Sequence, residues 1–157
     1  MSYSGVQASV WDLFSNRYIL CAVTAWILAQ ALKIPTYYLV EKKLDWNRFL
    51  GSGGMPSSHT ASVFSLTLMV GALNGFDSVL FAISIAFTVV VMYDATGVRR
   101  ETGKQGAVIN EILRNVLIDG KPISDDDLKE LVGHTPFEVA GGMLVGLGVA
   151  LFYIYIF

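Results

Sequence analysis

Four long apolar segments dominate the sequence, and they limit the folds that the chain can adopt. They are 18–34, 61–76, 79–93 and 137–157. A helix needs about 17–25 mostly apolar residues to cross a bilayer. Charged residues make up only 15% of the chain, where a soluble domain has about a quarter. Strands would leave backbone groups unsatisfied in lipid, so the sequence predicts an all-α, polytopic membrane bundle with about four transmembrane helices.

Three further segments are predicted to be interfacial or soluble helices. They are 37–49, 104–118 and 124–131, and the second carries a single apolar stripe with polar residues on its other face. We expect them to connect the spans within one membrane-embedded domain over residues 1–157. The net charge of −2 does not suggest nucleic-acid binding.

Both histidines of the chain lie beside small, turn-forming residues at the edge of an apolar segment. The first, His59, follows the glycine-rich stretch 51–56 and two serines, Ser57 and Ser58. Such a loop at a helix start can direct backbone N–H groups and hydroxyls at an anion. The alternative is a capped helix start with an incidental histidine.

The second histidine, His134, precedes Glu138 by four residues. On a helix that begins near Thr135 or Pro136, the two side chains would share a face. A carboxylate bonded to one imidazole nitrogen leaves the other nitrogen nucleophilic. The pair could also be a plain surface pair, or half of a zinc site with His59 as a third ligand.

Basic residues close to the spans favour an anion over a cation. Lys33 ends a span, Arg48 precedes the glycine loop, and Arg99 and Arg100 follow the third span. Each alone could be a lipid-facing anchor, but a group of them beside two histidines indicates a phosphate pocket. We therefore predict a site that uses no metal and no cofactor.

The basic residues also predict the orientation in the membrane. Of eleven Lys and Arg residues, ten lie between Lys33 and Lys129, and none lies in the hairpin 74–77. One charged loop precedes the span 61–76 and the other follows the span 79–93. Because two spans separate them, both loops must lie on the same side of the membrane. The positive-inside rule makes that side cytoplasmic, and a plasma-membrane protein with a cytoplasm-facing site is predicted.

Two motifs resemble a known family. Pro56-Ser57-Ser58-His59 looks like the proline-serine-glycine-histidine motif of the type-2 phosphatidic acid phosphatase superfamily, which is related to the vanadium-dependent haloperoxidases. The stretch from Gly133 to Val139 resembles its third motif, in which a nucleophilic histidine is followed four residues later by an aspartate. Together with residues 98–105, VRRETGKQ, these motifs are closest to a divergent branch of small membrane proteins.

The resemblance implies roles for the matching residues. His134 would attack phosphorus and form a phosphohistidine, Glu138 would orient it in place of the aspartate, and His59 would protonate the leaving oxygen. The predicted phosphate-binding residues are Lys33, Arg48, Gly54, Ser57, Ser58, Arg99, Arg100 and Lys104. In the family the arginine and histidine of the third motif are close in sequence, whereas here more than thirty residues separate them.

The leading hypothesis is therefore a metal-independent phosphatase of lipid phosphate monoesters. A cytoplasmic site would suit phosphatidylglycerol phosphate or phosphatidic acid, and an outward site a polyprenyl diphosphate. The alternatives are a non-catalytic phospholipid-binding or transport protein and a membrane scaffold.

The partners predicted are the bilayer and a lipid phosphate. Gly142 and Gly146, a Gly-x-x-x-Gly pair, would serve either a homodimer or packing within one subunit.

Overall fold

The described part of the chain is built from α-helices. The computed structural model describes residues 10–44, 46–49, 53–97 and 134–156, with the isolated positions 103, 105, 106, 108 and 109. The helices are α1 (Trp11–Ser15), α2 (Arg17–Glu41), α3 (Ser58–Asn74), α4 (Val79–Thr96) and α5 (Pro136–Ile156), with a short 3-10 helix at Trp46–Phe49. These residues contain no strand, and the predicted all-α membrane bundle is confirmed.

Within the described ranges, three helices are long and apolar enough to cross a membrane, namely α2, α4 and α5. The fourth predicted span corresponds to α3, which has 17 residues and begins three residues earlier than expected. At 1.5 Å per residue it is about 25 Å long, slightly less than the hydrocarbon core of about 30 Å. It packs against α2, α4 and α5, and therefore forms the centre of the bundle.

The predicted end of the first span at Ile34 was wrong, because α2 continues through Pro35 to Glu41. Proline removes a helical N–H donor, but in a membrane helix a neighbouring hydroxyl can satisfy the backbone groups around it. Here the Thr36 hydroxyl donates to the Leu32 carbonyl at 2.8 Å and lies 3.1 Å from the Lys33 carbonyl oxygen. The predicted interfacial helix 37–49 is consequently divided between the end of α2 and the 3-10 helix.

Glycines allow α5 to approach α3 very closely. A Cβ built at Gly142 would collide with the Ser57 carbonyl oxygen and lie 2.9 Å from the Thr60 Cβ. A Cβ at Gly146 would lie 2.7 Å from the Ala61 carbonyl oxygen. The Gly-x-x-x-Gly pair therefore packs against α3 within one subunit, which is one of the two roles that the sequence left open for it. Alanine and cysteine on α2 complete this interior.

Hydroxyl groups connect α4 to α3. Thr67 Oγ1 and Thr88 Oγ1 lie 2.7 Å apart. Thr67 also lies 3.1 Å from the Ser84 carbonyl, and Thr88 lies 3.1 Å from the Val63 carbonyl. Most of the remaining surface of α4 is exposed and apolar, which fits a helix that faces lipid on its outer side.

Candidate active site

Successive long helices run in opposite directions, so one end of the bundle collects the ends of α2 and α4 and the starts of α3 and α5. Two backbone hydrogen bonds hold this end together. The His134 N–H donates to the Ala95 carbonyl of α4 at 2.9 Å, and the Ser57 N–H donates to the Glu138 carbonyl of α5 at 2.9 Å. Both histidine motifs are thereby anchored to neighbouring helices at the same end of the bundle.

His134 and Glu138 form a close pair. The His134 Nδ1–H donates to Glu138 Oε2 at 2.6 Å, and His134 is only 3% exposed. An ionised carboxylate can only accept, so the proton lies on Nδ1 and the lone pair on Nε2. The helix begins at Pro136, and the Thr135 hydroxyl accepts from the Glu138 N–H at 3.3 Å. The predicted contact is thus present, and it fixes the tautomer that a nucleophilic imidazole needs.

The turn before α3 brings small polar groups to the same end. Gly54 has φ +92, a left-handed conformation that favours glycine. The Ser57 hydroxyl caps α3 by accepting from the Thr60 N–H at 3.4 Å and from the Thr60 hydroxyl at 3.0 Å. Ser58 is 1% exposed, and its hydroxyl has no hydrogen-bond partner among the described residues. The Ser57 hydroxyl therefore stabilises the start of α3, whereas the Ser58 hydroxyl is buried and does not line the cavity shared by the two histidines.

Both histidines line one cavity of ≈ 240 Å³ between the starts of α3 and α5 and the last turns of α4. Its walls are His59, Val90, Val91, Asp94, Ala95 and His134. His59 lies in the first turn of α3 and is exposed, in contrast to His134. A cavity that joins an exposed histidine to a buried, carboxylate-bound one can place a single group between an acid and a nucleophile.

Asp94 is a cavity residue that the sequence reasoning missed. The predicted span ends at Tyr93, one residue before this aspartate, whereas α4 continues to Thr96. The signal that could have found it is an acidic residue within a membrane helix, which by default marks a functional position.

Lys33 is buried although its side chain ends in an ammonium group that prefers water. It lies near the end of α2, is 2% exposed, and interacts electrostatically with Glu138. Gln30, one turn before it, is also buried, and its Oε1 has no hydrogen-bond partner in the described part of the chain. Burying a cation is costly unless it meets an opposite charge, and the Glu138 carboxylate supplies one here.

The other predicted phosphate ligands cannot be placed beside these groups. Arg48 has its backbone in the 3-10 helix, but its side chain is outside the described part. Arg99, Arg100 and Lys104 lie outside the described residues. Among the residues that are described, no three His, Cys, Asp or Glu side chains are grouped as metal ligands would be.

Comparison with known proteins gives two matches. The model of the Divergent PAP2 family matches residues 14–149. An uncharacterized membrane protein of Bacillus subtilis (strain 168), YuiD, is 41% identical over 156 residues, which cover 93% of this chain and 99% of that protein. No solved structure matches the chain.

Proposed function

Because the chain belongs to the Divergent PAP2 family, we propose that it is an integral membrane phosphatase that hydrolyses a lipid phosphate monoester. PAP2 denotes the type-2 phosphatidic acid phosphatases. The proposal covers residues 1–157 as a single membrane-embedded domain. The observation that carries it is the hydrogen bond of 2.6 Å between His134 and Glu138, at the wall of a cavity shared with His59.

In the first step, His134 Nε2 attacks phosphorus and forms an N–P bond while the P–O ester bond breaks. Glu138 stabilises the positive charge that develops on the imidazole, since it accepts from Nδ1–H. His59 gives its proton to the departing lipid oxygen, which leaves as an alcohol. The lipid product is then free while the phosphoryl group stays on His134.

In the second step, water attacks the phosphohistidine. His59, now neutral, takes a proton from that water, the N–P bond breaks, and inorganic phosphate leaves. His134 returns to its starting tautomer because Glu138 still holds Nδ1–H. One water is consumed, and neither histidine needs a further proton source.

The phosphoryl oxygens need positive charge and hydrogen-bond donors. The buried Lys33 ammonium and the unpartnered Ser58 hydroxyl support such a role, together with the N–H groups of the turn at Gly54. Arg48, Arg99, Arg100 and Lys104 are proposed on the sequence alone. A purely lipid-binding protein would need these cations but not the carboxylate-bound histidine, so the pair favours an enzyme.

We further propose that the protein lies in the plasma membrane with this end of the bundle in the cytoplasm. The charge distribution of the loops supports this orientation. A cysteine at Asp125 should react with a membrane-impermeant maleimide only after the cells are opened, in a background where Cys21 is replaced by Ala. A cysteine at Asp77, on the opposite hairpin, is the matched control and should react in intact cells. The reverse pattern would place the site outside.

The activity is tested with purified protein and a panel of lipid phosphates, without added metal. Wild-type protein should release inorganic phosphate, and ³²P-labelled phosphatidic acid should leave an acid-labile, base-stable label on the chain. His134→Ala should lose both signals, whereas Tyr155→Ala at the opposite end of α5 should keep them. Release that survives His134→Ala would reject the nucleophile. Binding of lipid phosphates without any release would favour the phospholipid-binding alternative.

A further inference from the structure

The cavity that contains the histidines has one apolar wall. Val90, Val91, Asp94 and Ala95 have the spacing of one side of a helix, and they all come from the last two turns of α4. His59 and His134 come from the start of α3 and from the residues just before α5. Apart from Asp94, α4 therefore presents only hydrocarbon to the space where the phosphate would react.

The apolar wall lies deeper in the bilayer than the polar groups. α4 ends at the same end of the bundle where α3 and α5 begin, so Val90 precedes Asp94 by about one helical turn towards the membrane centre. The histidines belong to the first turn of α3 and to the residues just before α5. A molecule with its phosphate between the histidines would thus have its next atoms beside Val90 and Val91.

The same wall continues onto the lipid-facing surface of α4. Val90 lines the cavity and is nevertheless 64% exposed. Exposure of a valine within a membrane helix means contact with acyl chains. An exposed valine in the cavity wall favours an opening towards lipid on the α4 side, and the only polar side chain that the described part of α4 contributes to this wall is Asp94.

We propose that Val90 and Val91 form a chain-binding subsite through which the substrate enters from the bilayer. It takes the part of an apolar chain nearest to the phosphate, so the substrate is an amphiphile whose chain stays in lipid while its phosphate reaches His134. A water-soluble phosphate ester gains nothing from this wall, because apolar contact is what the wall offers. The inference rests on the proposed function for its phosphate site, but occupation of the subsite can be measured without turnover.

The first experiment uses two adjacent valines with similar exposure. Val89 is 59% exposed and does not line the cavity, so Val89→Trp is the matched control for Val90→Trp. Val90→Trp should lower kcat/KM for dioleoyl phosphatidic acid at least tenfold relative to Val89→Trp. The ratio of kcat/KM for dioleoyl phosphatidic acid to kcat/KM for a short-chain dibutyryl analogue should fall in Val90→Trp and stay at the wild-type value in Val89→Trp. Equal effects of both changes on the long-chain lipid would overturn the subsite.

The second experiment uses the wild-type protein and needs no hydrolysis. A non-hydrolysable phosphonate analogue of phosphatidic acid carries a diazirine close to the ester end of one acyl chain. Cross-links should concentrate on Val90 and Val91 and should decrease when unlabelled dioleoyl phosphatidic acid is added. A prenyl phosphonate probe shows whether branched chains also enter. Cross-links spread equally over Val89 and Val90, with no competition, would reject the inference. Competed cross-links in a protein that hydrolyses nothing would keep the subsite and reject the phosphatase.

Discussion

The two sides of α3 are built differently. Towards α5, glycines bring backbone against backbone, and Gly142 and Gly146 leave no space for a methyl group. Towards α4, the contact depends on hydroxyls, with Thr67 and Thr88 joined across the interface at 2.7 Å. The side towards α5 carries the His134–Glu138 pair, and the side towards α4 carries the apolar wall of the cavity.

This difference matches two requirements of the proposed reaction. The nucleophile must keep its tautomer and position, and a backbone-to-backbone contact with few rotatable groups maintains such geometry. The substrate must also enter, and a helix that meets its neighbour through side chains rather than backbone against backbone can separate from it at lower cost. We therefore expect changes on the α5 side to affect chemistry and folding, and changes on the α4 side to affect access.

The largest expected effect is that of Glu138→Gln on turnover. The amide removes the negative charge that stabilises the imidazolium and fixes Nδ1–H, so kcat should fall by about 10²–10⁴-fold, or roughly 3–5 kcal/mol in the barrier. Phosphate release from a lipid phosphate measures the loss. Glu138→Asp, which restores the family's residue, should recover part of the rate. A Gln variant with unchanged kcat would show that the α5 side does not position the nucleophile.

The next largest effect is that of Gly142→Ala on stability. The added methyl group meets the Ser57 backbone and Thr60, which cannot move away without separating α3 from α5. Overpacking of this kind costs about 1–3 kcal/mol. The matched control is Gly148→Ala in the same helix, where a Cβ has nothing within 4 Å. Thermal unfolding in detergent should show a clear decrease for the first variant and none for the second. Equal melting temperatures would mean that the close contact is not needed.

The hydroxyl contact on the α4 side should contribute less. Thr67→Val and Thr88→Val each remove one hydroxyl of the pair, and interhelical hydrogen bonds in membranes average about 0.6 kcal/mol with a maximum of about 1.7. A double-mutant cycle on unfolding free energy should give a coupling in that range. The kcat/KM for a long-chain lipid phosphate should change, because its entry depends on the α4 side, while kcat for a dissolved ester should stay the same. A coupling as large as the loss from Gly142→Ala would abolish the contrast between the two sides.

The sequence predicted the elements of this structure better than their ends. Apolar length and low charge were enough for the helices, and the spacing of four residues predicted the His134–Glu138 contact, although His134 lies two residues before α5 begins at Pro136. The predicted helices 104–118 and 124–131 lie largely or wholly outside the described residues. Pro35 was taken as a helix end, whereas the Thr36 hydroxyl bonds to the Leu32 carbonyl one turn earlier and the helix continues. The early end assigned to α4 then hid Asp94.

The close approach of α5 to α3 could not be predicted from the glycines themselves. A Gly-x-x-x-Gly pair permits contact with any helix, whether in the same subunit or in another one. The choice depends on which surface lies opposite, and here that surface is the start of α3 with Ser57 and Ala61. The cavity likewise depends on how far apart α4 and α5 lie, which no local pattern specifies.

The smallest effect on turnover is expected at the opposite end of the bundle, and it tests whether the contrast is specific to the site. The Tyr18 hydroxyl donates to Asn74 Oδ1 at 2.8 Å and accepts from Nδ2 at 2.9 Å, which joins the start of α2 to the end of α3. Tyr18→Phe removes both contacts but keeps the ring, so stability should fall by about 0.5–1.5 kcal/mol. Because this end lies a helix length from His134, phosphate release should stay at the wild-type rate at temperatures below unfolding. A loss of turnover as large as that of Glu138→Gln would mean that α3 transmits changes along its whole length, and the two sides of that helix would then not act separately.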